Sequence, residues 1–197
     1  MFDYEKVLEE FSQEYEILKE DVDKGQRTYK IRGVMSKAGI KNKNSRLYPM
    51  EVMKESVNEV QELIGANRFL GELDHPSAPK INMDKISHKV TKLTMTEDGI
   101  VIGEMIPAGP YKNKLISIIE DGIGFGVSTR GTGSTRSSNQ LGEHITEVLP
   151  GYKLRAIDIV HDPSAGAYPE VVKEDTEHSI FAVPTRFKDI WNEVFKG

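Results

Sequence analysis

Gly122-Ile123-Gly124-Phe125-Gly126-Val127-Ser128-Thr129-Arg130-Gly131 and, upstream, Gly71-Glu72-Leu73-Asp74-His75-Pro76 are the two stretches around which the chain is organised. The first offers a serine in a backbone that glycine lets bend freely. The second offers a histidine base, and Pro76 biases that histidine towards an extended backbone, so its direction is more definite than in a helix. A serine hydroxyl with a histidine to take its proton points to acyl transfer. A lone histidine beside Asp and Pro is also an ordinary turn residue, and that reading stands beside the catalytic one.

Working outward, the glycine run follows a helical pattern in which Leu115, Ile118 and Ile119 share a face, with Pro110 near the start and Asp121-Gly122 as the stop. A phosphate-binding loop puts its glycines between a strand and a helix N-terminus, and the P-loop form adds a lysine. Here the order is helix, glycines, then a strand or loop, so nucleotide binding is not expected. Before that helix, Val90–Met95 and Ile100–Ile106 read as two strands joined at Glu97-Asp98-Gly99, an Asp-Gly hairpin signal. Met53, Val57, Val60 and Ile64 trace a helical face that ends at Gly65, and Thr28–Met35 is β-rich. Between them, Lys37 to Arg46 is a polar, basic connection, with Pro49 suited to a first helical turn.

Composition bounds the rest. A chain of 197 residues, 38% hydrophobic, suits one domain with its own core. It has no cysteine, so a disulfide, a thiolate metal site or a cysteine nucleophile is excluded. No apolar run is long enough to span a bilayer, and Met1-Phe2-Asp3-Tyr4-Glu5 is acidic where a signal peptide is basic. Residues 1–20 hold seven acids against two lysines, which accounts for the whole net charge of −5. Val7, Phe11, Tyr15 and Leu18 recur at helical spacing there, so residues 1–24 are expected to form an acidic amphipathic helix. Its charge reads either as a solvated face or as a removable docking segment. Nothing in this balance favours nucleic acid.

Three motifs in order, "GELDHP", "GVSTRG" and Asp158-Ile159-Val160-His161-Asp162-Pro163-Ser164, resemble the prohead maturation proteases of tailed bacteriophages, serine proteases distantly related to the herpesvirus assembly protease. Asn42-Lys43-Asn44-Ser45-Arg46-Leu47-Tyr48-Pro49 also resembles a stretch before that family's first core helix. The resemblance runs from about Tyr29 to Ser164. It implies an α+β fold, with a compact, mainly antiparallel or barrel-like β-core flanked by helices. It carries the nucleophile to Ser128 and the base to His75, and implies that the Arg130 and Gly131 peptides help form an oxyanion pocket. Arg130, and Arg136 after it, are candidates for electrostatic help; the alternative for Arg130 is a surface ion pair.

The third catalytic member is expected at Asp158. It interrupts an apolar run, so burial would demand a partner such as a protonated imidazole. The alternative is an outward-facing position on a half-exposed strand. His161 is the other candidate, because the herpesvirus enzymes use a second histidine. Gly131 to Gln140, with Ser134, Ser137 and Ser138, reads as a mobile polar loop.

The domain expectation is thus residues 1–24 as an acidic helix, 25–170 as the protease domain, and 171–197 as a linker and amphipathic helix carrying Phe187, Ile190, Trp191, Val194 and Phe195. The last helix either caps the core or meets another subunit. The resemblance implies a serine endopeptidase acting inside an assembling prohead in the host cytoplasm. Its substrates would be scaffold and capsid proteins and itself, with a homo-oligomer expected, no cofactor or metal, and no nucleic-acid or membrane partner. Relatives favour cleavage after hydrophobic-x-Glu, which Leu8-Glu9-Glu10 and Ile145-Thr146-Glu147 fit. Two rivals remain: a non-catalytic scaffold or shell protein of the same fold, and a metal-dependent hydrolase using Asp74, His75, Asp84 and His88.

Overall fold

The hairpin at Glu97-Asp98-Gly99 forms the centre of the larger sheet. Gly99 has φ +84°, the left-handed conformation that an Asp-Gly turn supplies without a side-chain clash. The structure, a computed structural model, describes residues 6–12, 15–21, 27–42, 44–74, 76, 78–140, 143–161 and 185–196.

The strands are β1 (Lys6–Ser12), β2 (Tyr15–Asp21), β3 (Arg27–Lys37), β4 (Arg46–Leu47), β5 (Leu70–Glu72), β6 (Ile86–Met95), β7 (Ile100–Pro107), β8 (Gly126–Gly133), β9 (Thr135–Gln140), β10 (Glu143–Val148) and β11 (Lys153–Val160). The helices are α1 (Met50–Glu59), α2 (Gln61–Gly65), α3 (Lys112–Glu120) and α4 (Thr185–Phe195). A larger sheet has the order β2-β3-β7-β6-β5, a second has β1-β8-β11, and a third has β4-β10-β9. Every pairing in the first two is antiparallel. The expected α+β architecture with a mainly antiparallel core is therefore what the chain forms.

The first two sheets meet along one edge, where Leu73, just past β5, bridges in parallel to Ile159 of β11. The space between them is filled by apolar side chains from both, among them Ile31, Met35, Met105, Val127 and Ile157, with Met53 of α1 and Leu115 of α3. Full burial of such a side chain contributes roughly 1.5–3 kcal/mol. The helix expected through Ile64 is broken at Val60 into α1 and α2.

Two expectations are corrected. The acidic N-terminal helix is not formed: residues 6–12 and 15–21 are strands, β1 on β8 and β2 on β3. Each strand satisfies a backbone edge that would otherwise lie open, and this tertiary pairing overrides the helical spacing. Ile17, which the helical reading did not use, is fully buried. The polar stretch from Gly131 to Gln140 is not a loop either. It completes β8 and forms β9, whose exposed ladder with β10 is built of Ser, Thr, Asn and Arg.

Helix α4 caps the outer face of the larger sheet within the same chain. Trp191 is buried with Val34 and Ile102, and Ile190 and Phe195 pack beside it. The linker expected over 171–184 and the turn at Asp162-Pro163 lie outside the described residues.

Candidate active site

Strand β8 is the middle strand of its sheet, and all eight of its residues are buried. Ser128 is paired with Asp158 on β11 and with Phe11 on β1. Paired residues share a sheet face, as do residues two apart on one strand. The fold therefore puts Ser128, Arg130, Ala156 and Asp158 on one face. Ser128 is 1% exposed, and its Oγ has no hydrogen-bond partner among the described residues. Buried hydroxyls are nearly always paired, so an idle one in this setting is a functional signal.

Asp158 is fully buried, which removes the outward-facing alternative, and Arg130 is fully buried as well, which removes the surface ion pair. Arg130 donates from Nε to Asp158 Oδ2 at 2.7 Å and from Nη2 to Asp158 Oδ1 at 3.1 Å. The same Nη2 donates to Glu72 Oε1 at 3.0 Å. Nη1 donates to the carbonyl of Ala78 at 2.6 Å and reaches that of Lys80 at 3.5 Å. All five guanidinium N–H groups are thus committed. Asp158 Oδ1 also accepts the Glu72 amide at 3.0 Å, and Glu72 Oε1 accepts the Asn82 amide at 3.0 Å. One arginine consequently ties together β8, β11, the end of β5 and the segment that follows His75.

Glu72 is the site residue that the motif reading passed over. It is fully buried, and its Oε2 has no partner among the described residues. The signal was available, since Glu72 breaks the apolar run Phe69 to Leu73 as Asp158 breaks its own. Two carboxylates around one guanidinium leave a formal charge of −1 in this interior.

His75 itself lies outside the described residues, but its neighbour Asp74 does not. The Asp74 amide donates to Ile159 O at 2.7 Å, and Asp74 has φ +68°, a left-handed turn that redirects the chain just before the histidine. Gly71 explains how β5 comes so close: a Cβ there would collide with Ile157 O and the His88 ring. Gly131 is required in the same way by the Tyr152 ring.

His88 is structural. Its ring is fully buried, Nε2 donates to Ile157 O at 2.8 Å, and Nδ1 accepts the Ser87 hydroxyl at 2.8 Å. The carbonyl can only accept, which fixes the tautomer. Burial lowers its pKa from 6.5 to about 4, against the opposing Ile157 hydrogen bond. With both nitrogens taken, it is not placed to bind zinc, and among the described residues no three His, Asp or Glu side chains gather for a metal. His161, one residue past β11, is exposed. Arg136 lies on β9 in the third sheet, paired with Glu147 at 2.7 Å on the surface.

The chain as a whole has counterparts among known proteins. The family model of the prohead core protein serine protease matches residues 13–179. The prohead core protein protease of Enterobacteria phage T4 is 30% identical over 171 residues, which span 82% of this chain and 76% of that protein. The solved structure of the bacteriophage T4 capsid assembly protease, gp21, superposes with a TM-score of 0.71 at 26% identity, covering 80% of this chain and 99% of that one. The chain belongs to the prohead core protein serine protease family and is a phage maturation protease.

Proposed function

We propose that the chain is a serine endopeptidase whose nucleophile is Ser128 and whose base is His75. The observation that carries this reading is the buried Ser128 hydroxyl, without a hydrogen-bond partner among the described residues and registered against Asp158 on the strand to which Asp74 is bonded. In the forward step, the Oγ–H proton passes to His75 as Oγ adds to the scissile carbonyl carbon. The oxyanion is stabilised by a backbone N–H of the Arg130–Gly131 pair; successive N–H groups on a strand point to opposite edges, so one of the two faces it. The intermediate collapses to an acyl-enzyme, the departing amine takes the proton from His75, and water repeats the sequence to release the acid.

Asp158 orients His75, held in its own place by the two-point contact with Arg130. The formal charge of −1 shared by Glu72, Asp158 and Arg130 favours the imidazolium that forms in each step. Arg130 acts as a positioning residue, because its donors are already committed and none remains for an oxyanion. The substrates are scaffold and capsid precursor proteins and the chain itself, cut inside the assembling prohead in the host cytoplasm.

Intact mass over time, for the protein beside Ser128→Ala, tests this reading with scaffold protein present. The native chain is expected to generate products with defined ends, and the variant to lose roughly 10⁶-fold in rate. Equal cleavage by both would remove Ser128 from the mechanism.

A further inference from the structure

We infer that Glu72 is a positioning residue for the base: its carboxylate pins the far end of the β5–β6 connection, which carries His75, to the catalytic sheet and holds the net negative charge there. The inference rests on Ser128 and His75 as nucleophile and base, and adds a residue to them. Strands β5 and β6 pair Glu72 with Ile86, so residues 73–85 leave and return beside Glu72. The Glu72 amide donates to Asp158 Oδ1 at 3.0 Å, which sets Glu72 next to the residue registered with Ser128. Its side chain then reaches ten residues on, where Oε1 accepts the Asn82 amide at 3.0 Å.

Among the described residues, bonds from the sheets reach this connection at its start, middle and end. Asp74 N donates to Ile159 O, Arg130 Nη1 donates to Ala78 O, and Asn82 N donates to Glu72. Asn82 is a firm anchor, because its Oδ1 accepts Asp84 N and its carbonyl accepts Lys85 N, closing the turn that leads into β6. Glu72 braces the middle tether too, since the same Oε1 accepts Arg130 Nη2 at 3.0 Å. Charge points the same way. Arg130 makes a two-point contact with Asp158 but a single bond to Glu72, whose Oε2 is buried with no partner among the described residues. The uncompensated charge of the three therefore lies on Glu72. A buried carboxylate oxygen left unpaired is costly, and such a cost is retained where it serves a site.

Two changes separate the bond from the charge. Glu72→Gln keeps an oxygen for the Asn82 amide and removes the charge, whereas Asn82→Pro removes the amide N–H and keeps the charge. Asn82 is exposed, and its φ of −89° is close to what proline adopts, so the fold tolerates the change. Asn82→Ala loses the same side-chain bond to Asp84 but keeps the N–H, and is the reference for Asn82→Pro. All are made in the full chain beside the parent and Ser128→Ala, and kcat and KM are measured across pH with scaffold protein as substrate. Urea unfolding is followed for each. In Glu72→Gln the other charged or titratable groups around residue 72 are unchanged: Arg130 from β8, Asp158 from β11, His88 from β6, Asp74 on the same segment, and Glu9, which β1 sets opposite Arg130.

Asn82→Pro is expected to lower kcat roughly 10-fold or more below Asn82→Ala, with KM changed by no more than about twofold and the acidic limb of the pH–rate profile in place. Glu72→Gln is expected to move that limb to lower pH by about one unit, because an anion removed from beside an imidazolium makes it a stronger acid. A purely structural role gives a different result. Both variants would then be less stable in urea, while the folded protein kept the parent's kcat and acidic limb, and that outcome overturns the inference. A loss confined to KM overturns it as well. If Ser128→Ala cleaves as the parent does, the nucleophile assignment falls and this inference falls with it. If Ser128→Ala is inactive while Glu72→Gln and Asn82→Pro match the parent, the nucleophile stands and the role of Glu72 alone is refuted.

Discussion

Two arginine–carboxylate assemblies sit on opposite sides of this fold, and they do different things with the same chemistry. Arg130, Glu72 and Asp158 are wholly interior, with side chains 0% exposed. Arg32 and Glu104 lie on the outer face of the larger sheet, at 16% and 5%. Arg130 spends its donors on two carboxylates and two loop carbonyls, joining segments far apart in sequence. Arg32 directs Nε and Nη2 at a single oxygen, Glu104 Oε2, and lays its guanidinium 4.6 Å from the centre of the Trp191 ring. The first assembly ties together β8, β11, β5 and the segment at Ala78; the second fastens a helix. What an ion pair contributes is set by how dry it is and how many elements it joins.

The sharpest way to break that contrast is to remove each arginine. Arg130→Met strands two buried carboxylates, so a loss of about 3–5 kcal/mol is expected in urea unfolding, along with proteolysis. Arg130→Lys should recover little, because an ammonium cannot supply five donors in a fork. If Arg130→Met were as mild as Arg32→Met, the interior assembly would not be the clamp described here.

Acid should separate the two regions next. His88 is held neutral beside the site, with a pKa of about 4 against 6.5 in an unfolded chain. Between those values the unfolded state binds a proton that the native state excludes, so stability falls as pH drops from 6.5 to 4. The shift corresponds to about 3 kcal/mol. His88→Gln should flatten that part of the stability–pH curve, and an unchanged slope would show that the ring is not the group responsible. Hydrogen exchange at low pH should open β5 and β11 before it opens the strands beneath α4.

Trp191→Ala is expected to cost less, about 2 kcal/mol, because its cluster with Val34 and Ile102 is small and peripheral. Peptide cleavage should be retained. Loss of cleavage with the fold intact would mean that α4 does more than fasten.

How much of this was legible differs between the two regions for a physical reason. Ser128, the Asp98-Gly99 turn and the α3 stop at Gly122 are written in local sequence, where a hydroxyl, a glycine or a turn residue declares itself. Asp158 was legible as a charge inside an apolar run, but its partner was not: Arg130 is 28 residues away along the chain, and only the β8–β11 register brings them together. Glu72 gave the same signal inside a shorter run and was passed over. Strand β1 was illegible because Val7, Phe11 and Tyr15 keep helical spacing, and the partner strand β8 that overrides it lies beyond residue 125. Strand β9 was hidden by its polarity, which suits an exposed ladder as well as a loop. The proposed base, His75, falls outside the described residues and was legible only from its motif.

The smallest expected effect is at the second assembly. Burial raises the Glu104 pKa, but hydrogen bonds from Thr91 and Arg32 and the charges of Arg32 and Lys92 outweigh it, so the carboxyl sits below its ordinary value. Its contribution is then present above the unfolded-state pKa and is lost as pH falls through the folded one. A double-mutant cycle with Arg32→Met and Glu104→Gln should give a coupling of about 1 kcal/mol or less near neutral pH, vanishing once the carboxyl is protonated. Part of the Arg32→Met loss should survive in the Glu104→Gln background, because the guanidinium also stacks on Trp191. A coupling as large as the loss from Arg130→Met would mean that exposure does not divide the two assemblies. The number of elements joined would then be the whole of the difference.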